Sequence, residues 1–147
     1  PASLRLMVVL DTNVLSEVIR RQPLPRVSTW FANQDLETLF ICAVSEAELL
    51  YGLAILPEGR RRSMLTADIE RLLNIGFAGR ILSFDGPAAG DYAAIAADRR
   101  RSGRPIAIPD AQIAAITRSR GAAIATRNTR EFEGCGVEMI NPWDDPM

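Results

Sequence analysis

The sequence has no histidine and no lysine: every one of its 17 basic residues is an arginine, set against 18 acids. Without imidazole there can be no serine–histidine triad, no histidine general acid or base and no histidine metal ligand. The formal net charge of −1 gives no global attraction to a polyanion, so any contact with nucleic acid must come from local asymmetry. Cys42 and Cys135 are too few for a disulfide framework, and 147 residues can bury a core without a covalent staple. Two unpaired thiols in a reducing, cytoplasmic setting are therefore expected. No apolar run approaches the roughly 18 residues of a membrane span, and Pro1–Leu6 lack the basic-then-apolar order of a secretion signal. A partner role at a membrane is not expected.

What the chain does have is apolar material in the right periods. Hydrophobic residues make up 48% and charged residues 24%, which excludes global disorder. Leu6-Met7-Val8-Val9-Leu10 reads as a strand buried on both faces, as in a parallel sheet, and Asp11-Thr12-Asn13 ends it. A short helix to Arg20 follows, then a second beginning at Pro25 with Val27, Trp30 and Phe31 on one face. Leu39–Cys42 reads as the second strand, and Ser45 with Glu48 has capping-box spacing ahead of a leucine-rich helix. The pattern continues with a helix from Arg60 to Ile75, a strand Ile81–Phe84 and an alanine-rich helix to Ser102. A helix Asp110–Ser119, a strand Ala122–Thr126 and a weaker strand Val137–Ile140 complete it. Strands alternating with helices predict an α/β layer fold with helices on both faces of the sheet. The sequence holds no internal repeat, low-complexity tract or linker.

Three acids fall where a plain surface would not put them. Asp11 follows directly on a buried strand, at the end where parallel sheets open their ligand crevice; the competing reading is a helix cap, made by Asp11 or Asn13. Glu48 lies early in the helix beyond the second strand. Capping would turn it back on its own backbone, and Glu46 is the other acid available there, but Gly52 one turn later leaves Glu48 open space. Asp110 follows Pro109 in an apolar stretch, where a carboxylate needs a proton, a counterion or good hydrogen bonds. After the fourth strand, Asn128 can offer an uncharged oxygen, Thr126 can bond a neighbouring carboxylate, and Glu131 can face either pocket or solvent. Carboxylates gathered in one cleft raise each other's pKa values, and Mg²⁺ or Mn²⁺, which prefer hard oxygen ligands, would stabilise them. Acids without histidine suit metal-assisted hydrolysis of a phosphodiester. The arginine runs Arg60–Arg62 and Arg99–Arg101 with Arg104 are either phosphate contacts or solvated helix faces.

The segments Val9-Leu10-Asp11-Thr12-Asn13-Val14-Leu15-Ser16, Ser45-Glu46-Ala47-Glu48-Leu49-x-x-Gly52, Ile108-Pro109-Asp110-Ala111-Gln112-Ile113 and Thr126-Arg127-Asn128-Thr129-Arg130-Glu131-Phe132 occur here in order. In that combination the chain resembles the PIN-domain ribonucleases, especially the VapC-like and FitB-like toxins of bacterial toxin–antitoxin pairs. Asn141-Pro142-Trp143 looks like the FitB branch. The resemblance covers almost the whole chain and implies a single PIN domain over 1–147, with a parallel sheet of about five strands in the order 3-2-1-4-5. It also implies a metal-dependent endoribonuclease in which Asp11, Glu48 and Asp110 bind Mg²⁺ or Mn²⁺ and catalyse RNA cleavage. Asn13 and Thr126 would support them. Asn128 stands where the family often has a fourth acid, which leaves the fourth ligand open. The implied partners are an RNA substrate, a cognate antitoxin, a second copy in a homodimer, and a higher-order assembly on operator DNA that the antitoxin contacts. The alternative is a non-catalytic PIN-fold subunit that binds antitoxin but has weak or no metal-dependent activity.

Overall fold

The computed structural model describes residues 6–144, so the reading of the amino-terminal residues 1–5 lies outside it. Three short apolar strands, β1 (Val8–Leu10), β2 (Leu39–Cys42) and β4 (Ala123–Ala125), form the centre of the sheet, with β3 (Ile81–Leu82) and β5 (Glu138–Ile140) at its edges. All pairings are parallel and the order is β3-β2-β1-β4-β5, as the resemblance implies. Parallel strands need crossovers, and the helices supply them. One face is covered by α1 (Thr12–Val18), α2 (Pro25–Ala32), α3 (Ala43–Ala54) and α4 (Arg60–Arg71). The other is covered by α5 (Gly86–Arg101), α6 (Ile108–Ser119) and the single turn α7 (Thr129–Phe132).

Alternation along the strands divides the core between these faces. Leu39 and Ile41 point to one side with Leu49, Leu53, Ile69 and Phe77, whereas Cys42 and Ile124 point to the other with Ile95, Ile113 and Ile116. The chain builds β2 and β3 on one flank of β1, then returns to build β4 and β5 on the other. The reversal lies between β1 and β4, and open α/β sheets form their ligand crevice beyond the carboxyl ends at such a point.

Four expectations need correction. The third strand stops at Leu82 rather than Phe84: as an edge strand it pairs only Ile81 and Leu82 with β2, and Phe84 instead sets its ring edge-on to Tyr92, 5.9 Å away. The helix after β2 begins at Ala43, with no side-chain cap, so Ser45 lies inside it, and the capping-box reading of Ser45 and Glu48 fails. The helix from Arg60 is regular only to Arg71 and continues as a wider π-type turn, Leu72–Gly76. Arg99 is neither a solvated arginine nor a phosphate contact, because it is only 6% exposed. Both cysteines are unpaired, as expected, and both are buried. Among the described residues, no helix is long and apolar enough to cross a membrane.

Candidate active site

Asp11 leaves the end of β1 only 5% exposed, held in place by its own amide, which donates to the Ala125 carbonyl of β4. Its carboxylate has two anchors. Oδ1 accepts from the Thr12 amide at 2.8 Å, and Oδ2 accepts from the Thr126 hydroxyl at 2.8 Å. The residue therefore does cap α1, and it also stands at the crevice: the two readings of Asp11 are compatible. Burial raises its pKa, and the charge of Glu48 adds to the rise. The bonds from Thr126 and Thr12 oppose it.

Thr126 is the hub on the β4 side. Its hydroxyl gives its one proton to Asp11 and accepts from the Asn128 amide at 3.0 Å and from Asn13 Nδ2 at 3.5 Å. Asn13 in turn accepts from the Arg127 amide through Oδ1 at 3.4 Å. Asn13 and Thr126 thus tie α1 to the end of β4 and fix the orientation of Asp11. Asn128 joins this network through its backbone; its side chain is exposed and makes no cap bond to α7.

Glu48 is reached from α1. The Thr12 hydroxyl lies 2.8 Å from Glu48 Oε1 and 2.9 Å from the fully buried Ser45 hydroxyl. A carboxylate can only accept, so the single Thr12 proton goes to Glu48 and Ser45 donates to Thr12. Ser45 also touches Cys42 Sγ at 3.6 Å. Thr12 therefore holds two acids, Asp11 through its amide and Glu48 through its hydroxyl. Sequence reading gives Thr12 no role beyond ending the first strand and gives Ser45 the role of a cap. The signal available was Ser45 three residues before Glu48, but it marks an inward helix face rather than a cap.

Asp110 sits in the first turn of α6, where the helix N-terminus favours negative charge. Burial is the largest influence raising its pKa to about 6; the charges of Asp11, Glu131 and Glu48 add to it, in that order, and Arg99 opposes them. Four acids from four separate segments thus act on one another. Glu131, left open between pocket and solvent, belongs with this group by its effect on Asp110. They act through charge rather than contact, and among the described residues no three of them close around a single point. The donors are hard oxygens whose mutual repulsion Arg99 and the hydrogen bonds offset only in part, which fits a divalent cation of the Mg²⁺ or Mn²⁺ type. Glu46 is in the same helical turn as Glu48 and takes no part in these interactions.

Beside the acids, α1, α3 and α4 leave a groove of about 1070 Å³. Leu49, Leu53 and Ile69 line it, with Arg20, Arg60 and Arg61 around them. It meets the acids only at Thr12 and Glu48, while Asp11 and Asp110 lie outside it.

Residues 8–135 match the PIN domain family. The chain is 43% identical to the plasmid stability protein StbB of Pseudomonas syringae, across 94% of this chain and 99% of that protein. It is 41% identical to the VapC ribonuclease Y4jK of Sinorhizobium fredii over the same shares of each chain. To toxin FitB of Neisseria gonorrhoeae it is 40% identical, across 95% of this chain and 100% of that one. Among solved structures, FitAB bound to the IR36 DNA fragment contains a chain that superposes with a TM-score of 0.90 at 38% identity, covering 96% of this chain and 99% of the other. A family match over most of the chain, relatives aligned along nearly their whole length and a close superposition on a solved structure agree: the chain belongs to the PIN-domain family.

Proposed function

We propose that this protein is a metal-dependent endoribonuclease acting in the cytoplasm as the toxin of a toxin–antitoxin pair. The observation that carries this reading is the mutual electrostatic influence of Asp11, Glu48 and Asp110, residues from three distant segments, in a site with no histidine. Asp11, Glu48 and Asp110 would hold Mg²⁺ or Mn²⁺, with Glu131 as a fourth acid at hand and Asn128 as a weaker oxygen donor. When bound, the cation supplies Lewis acidity, making the attacking water more acidic and offsetting charge that develops on the phosphate. The chain's own groups orient and exclude. Thr126 and the Thr12 amide hold Asp11 in a single pose, the Thr12 hydroxyl holds Glu48, and Asn13 locks Thr126. The dry strand ends beneath Asp11 keep bulk water from competing for its carboxylate.

The relatives named VapC ribonuclease and toxin FitB support RNA as the substrate and an antitoxin as the partner. The groove adds a physical reason. Its apolar floor suits an amphipathic segment, its arginines suit acids on that segment, and a basic side chain reaching past Thr12 would meet Glu48. The FitAB structure on a DNA fragment supports an assembly on operator DNA, and a homodimer of this chain is part of the same proposal.

Antitoxin-free protein assayed on defined RNA pools, with EDTA and with added Mg²⁺ or Mn²⁺, tests the reading. Cleavage that needs the metal and disappears in folded Asp11→Asn and Asp110→Asn variants is the expected result. Equal cleavage by wild type and both variants would refute it. Antitoxin binding without any cleavage would leave a non-catalytic PIN-fold subunit.

A further inference from the structure

Arg99 differs from its neighbours in the arginine run. Arg100, Arg101 and Arg104 are exposed, whereas Arg99 lies on the stripe Ala88, Ile95, Arg99 that α5 turns inward. A buried guanidinium is costly unless its N–H groups find acceptors. Here Nε donates to the Arg104 carbonyl at 2.7 Å, and Nη1 donates to the Glu131 carbonyl at 2.8 Å and the Glu133 carbonyl at 3.3 Å. Nη1 also lies 3.6 Å from Cys135 Sγ.

These acceptors come from two segments. Arg104 belongs to the link that feeds α6, whose first turn carries Asp110. Glu131 and Glu133 belong to α7 and the turn after it. One planar fork therefore joins the chain leading to Asp110 with the chain bearing Glu131. Its hydrogen-bond partners are neutral, so its charge is not cancelled and acts on Asp110, where it opposes the rise in pKa. Arg104 makes a second tie between the same segments from the solvent side, through the Arg130 carbonyl at 3.2 Å and Glu133 Oε2 at 3.4 Å.

Building on the nuclease reading above, we propose that Arg99 is a positioning residue for RNA cleavage, its buried fork fixing the segment that leads to Asp110 against the segment that bears Glu131. Lysine at this position keeps the charge but has no planar fork to span the two segments. A merely structural role would be felt as lower stability alone.

The test compares Arg99→Lys with Ile95→Val, which loosens the same face of α5 without touching the guanidinium. The readings are kcat and KM on a defined RNA and Mn²⁺ affinity by calorimetry, all well below each variant's melting temperature. Arg99→Lys is expected to lower kcat by about 10- to 100-fold and to weaken Mn²⁺ binding, with KM little changed, as when a group that orients a ligand is lost. Ile95→Val should leave all three near wild type. Wild-type kcat and Mn²⁺ affinity in Arg99→Lys, or equal losses in both variants, would overturn the proposal. Should Arg99→Lys not fold, Arg104→Gln weakens the same tie from outside, and an unchanged kcat and Mn²⁺ affinity there would overturn it equally. If the wild type cleaves no RNA, the nuclease reading fails by itself, and the Mn²⁺ titrations still decide the role of Arg99.

Discussion

Beneath α1–α4 the sheet meets Leu15, Trp30, Leu49, Leu53 and Phe77, whereas α5 and α6 press on its other face with Ala88, Ala114 and Ala115 set among isoleucines. Small side chains let helices approach closely, and the alanine face is filled, with Ala114, Ala115, Ile113 and Ile116 all buried. Long side chains hold helices farther apart, and the leucine face leaves the groove beside Glu48. The two faces therefore serve the site differently. The tight one presents Asp110 on a rigid helix, and the loose one leaves Glu48 beside a space that another molecule can enter.

The most severe way to break this comparison is to remove an acid from each face. Asp110→Asn and Glu48→Gln should each lower metal-dependent RNA cleavage by more than about 100-fold, beyond the usual effect of losing an outer-shell partner. Single-turnover cleavage at saturating Mg²⁺ measures this, and near-wild-type rates from either variant would remove that acid from the mechanism.

A smaller effect should separate the faces by stability. Ile113→Ala opens a closed void among the alanines and should cost about 3–4 kcal/mol, in the middle of the range for such truncations. Leu53→Ala opens its void into the groove, where water can enter, and should stay nearer about 2 kcal/mol. Urea unfolding of both variants gives the order, and the reverse order would mean that the two cores yield alike.

The tie between the faces can then be loosened at Thr12. Thr12→Val keeps the size and the amide that holds Asp11 but removes the proton given to Glu48. About 10-fold slower cleavage is expected, with a modestly lowered melting temperature because the buried Ser45 hydroxyl loses its Thr12 partner. Thr12→Ser should recover most of the rate, and failure to do so would assign the loss to packing.

The mildest prediction concerns pH. Asp110, raised from 3.8 to about 6, binds its proton more tightly folded than unfolded, so its protonated form favours the fold. The stabilisation is complete below about pH 4 and is lost as pH rises through about 6, so metal-free protein should weaken across that window. Asp110→Asn should flatten the slope, leaving the part that Asp11 contributes, and make the metal-free protein more stable above pH 6 by roughly 1–2 kcal/mol, allowing for partial exposure. Melting curves from pH 4 to pH 8 in EDTA measure it, and parallel curves for wild type and variant would show that the repulsion at Asp110 is relieved in some other way.

The same contrast shows why some features were legible in the sequence and others were not. β2 was legible to the residue because a continuous apolar run ends abruptly, and α2 because Pro25 marks its first turn. Asp11 stood out because a carboxylate directly after a buried strand is unusual. Its bond to Thr126 spans 115 residues and the Thr12–Glu48 bond spans 36, and no local periodicity encodes such pairings. Ser45 misled because its spacing to Glu48 fits both a cap and an inward helical face; only the start of α3 at Ala43 decides between them. Arg99 was hidden in a run of like residues, although its place four residues after Ile95 continues the buried stripe of α5.

The bond from Thr126 to Asp11 also carries a lesson about time. The acid is made well before the hydroxyl that orients it, 115 residues further on, and before the strand whose carbonyl holds its amide. Under the nuclease reading, a growing chain still attached to its ribosome cannot attack the RNA around it until β4 and Thr126 have been translated. Stalled chains ending before residue 123 should leave RNA intact even with abundant Mg²⁺, and cleavage by such chains would show that the early segments suffice.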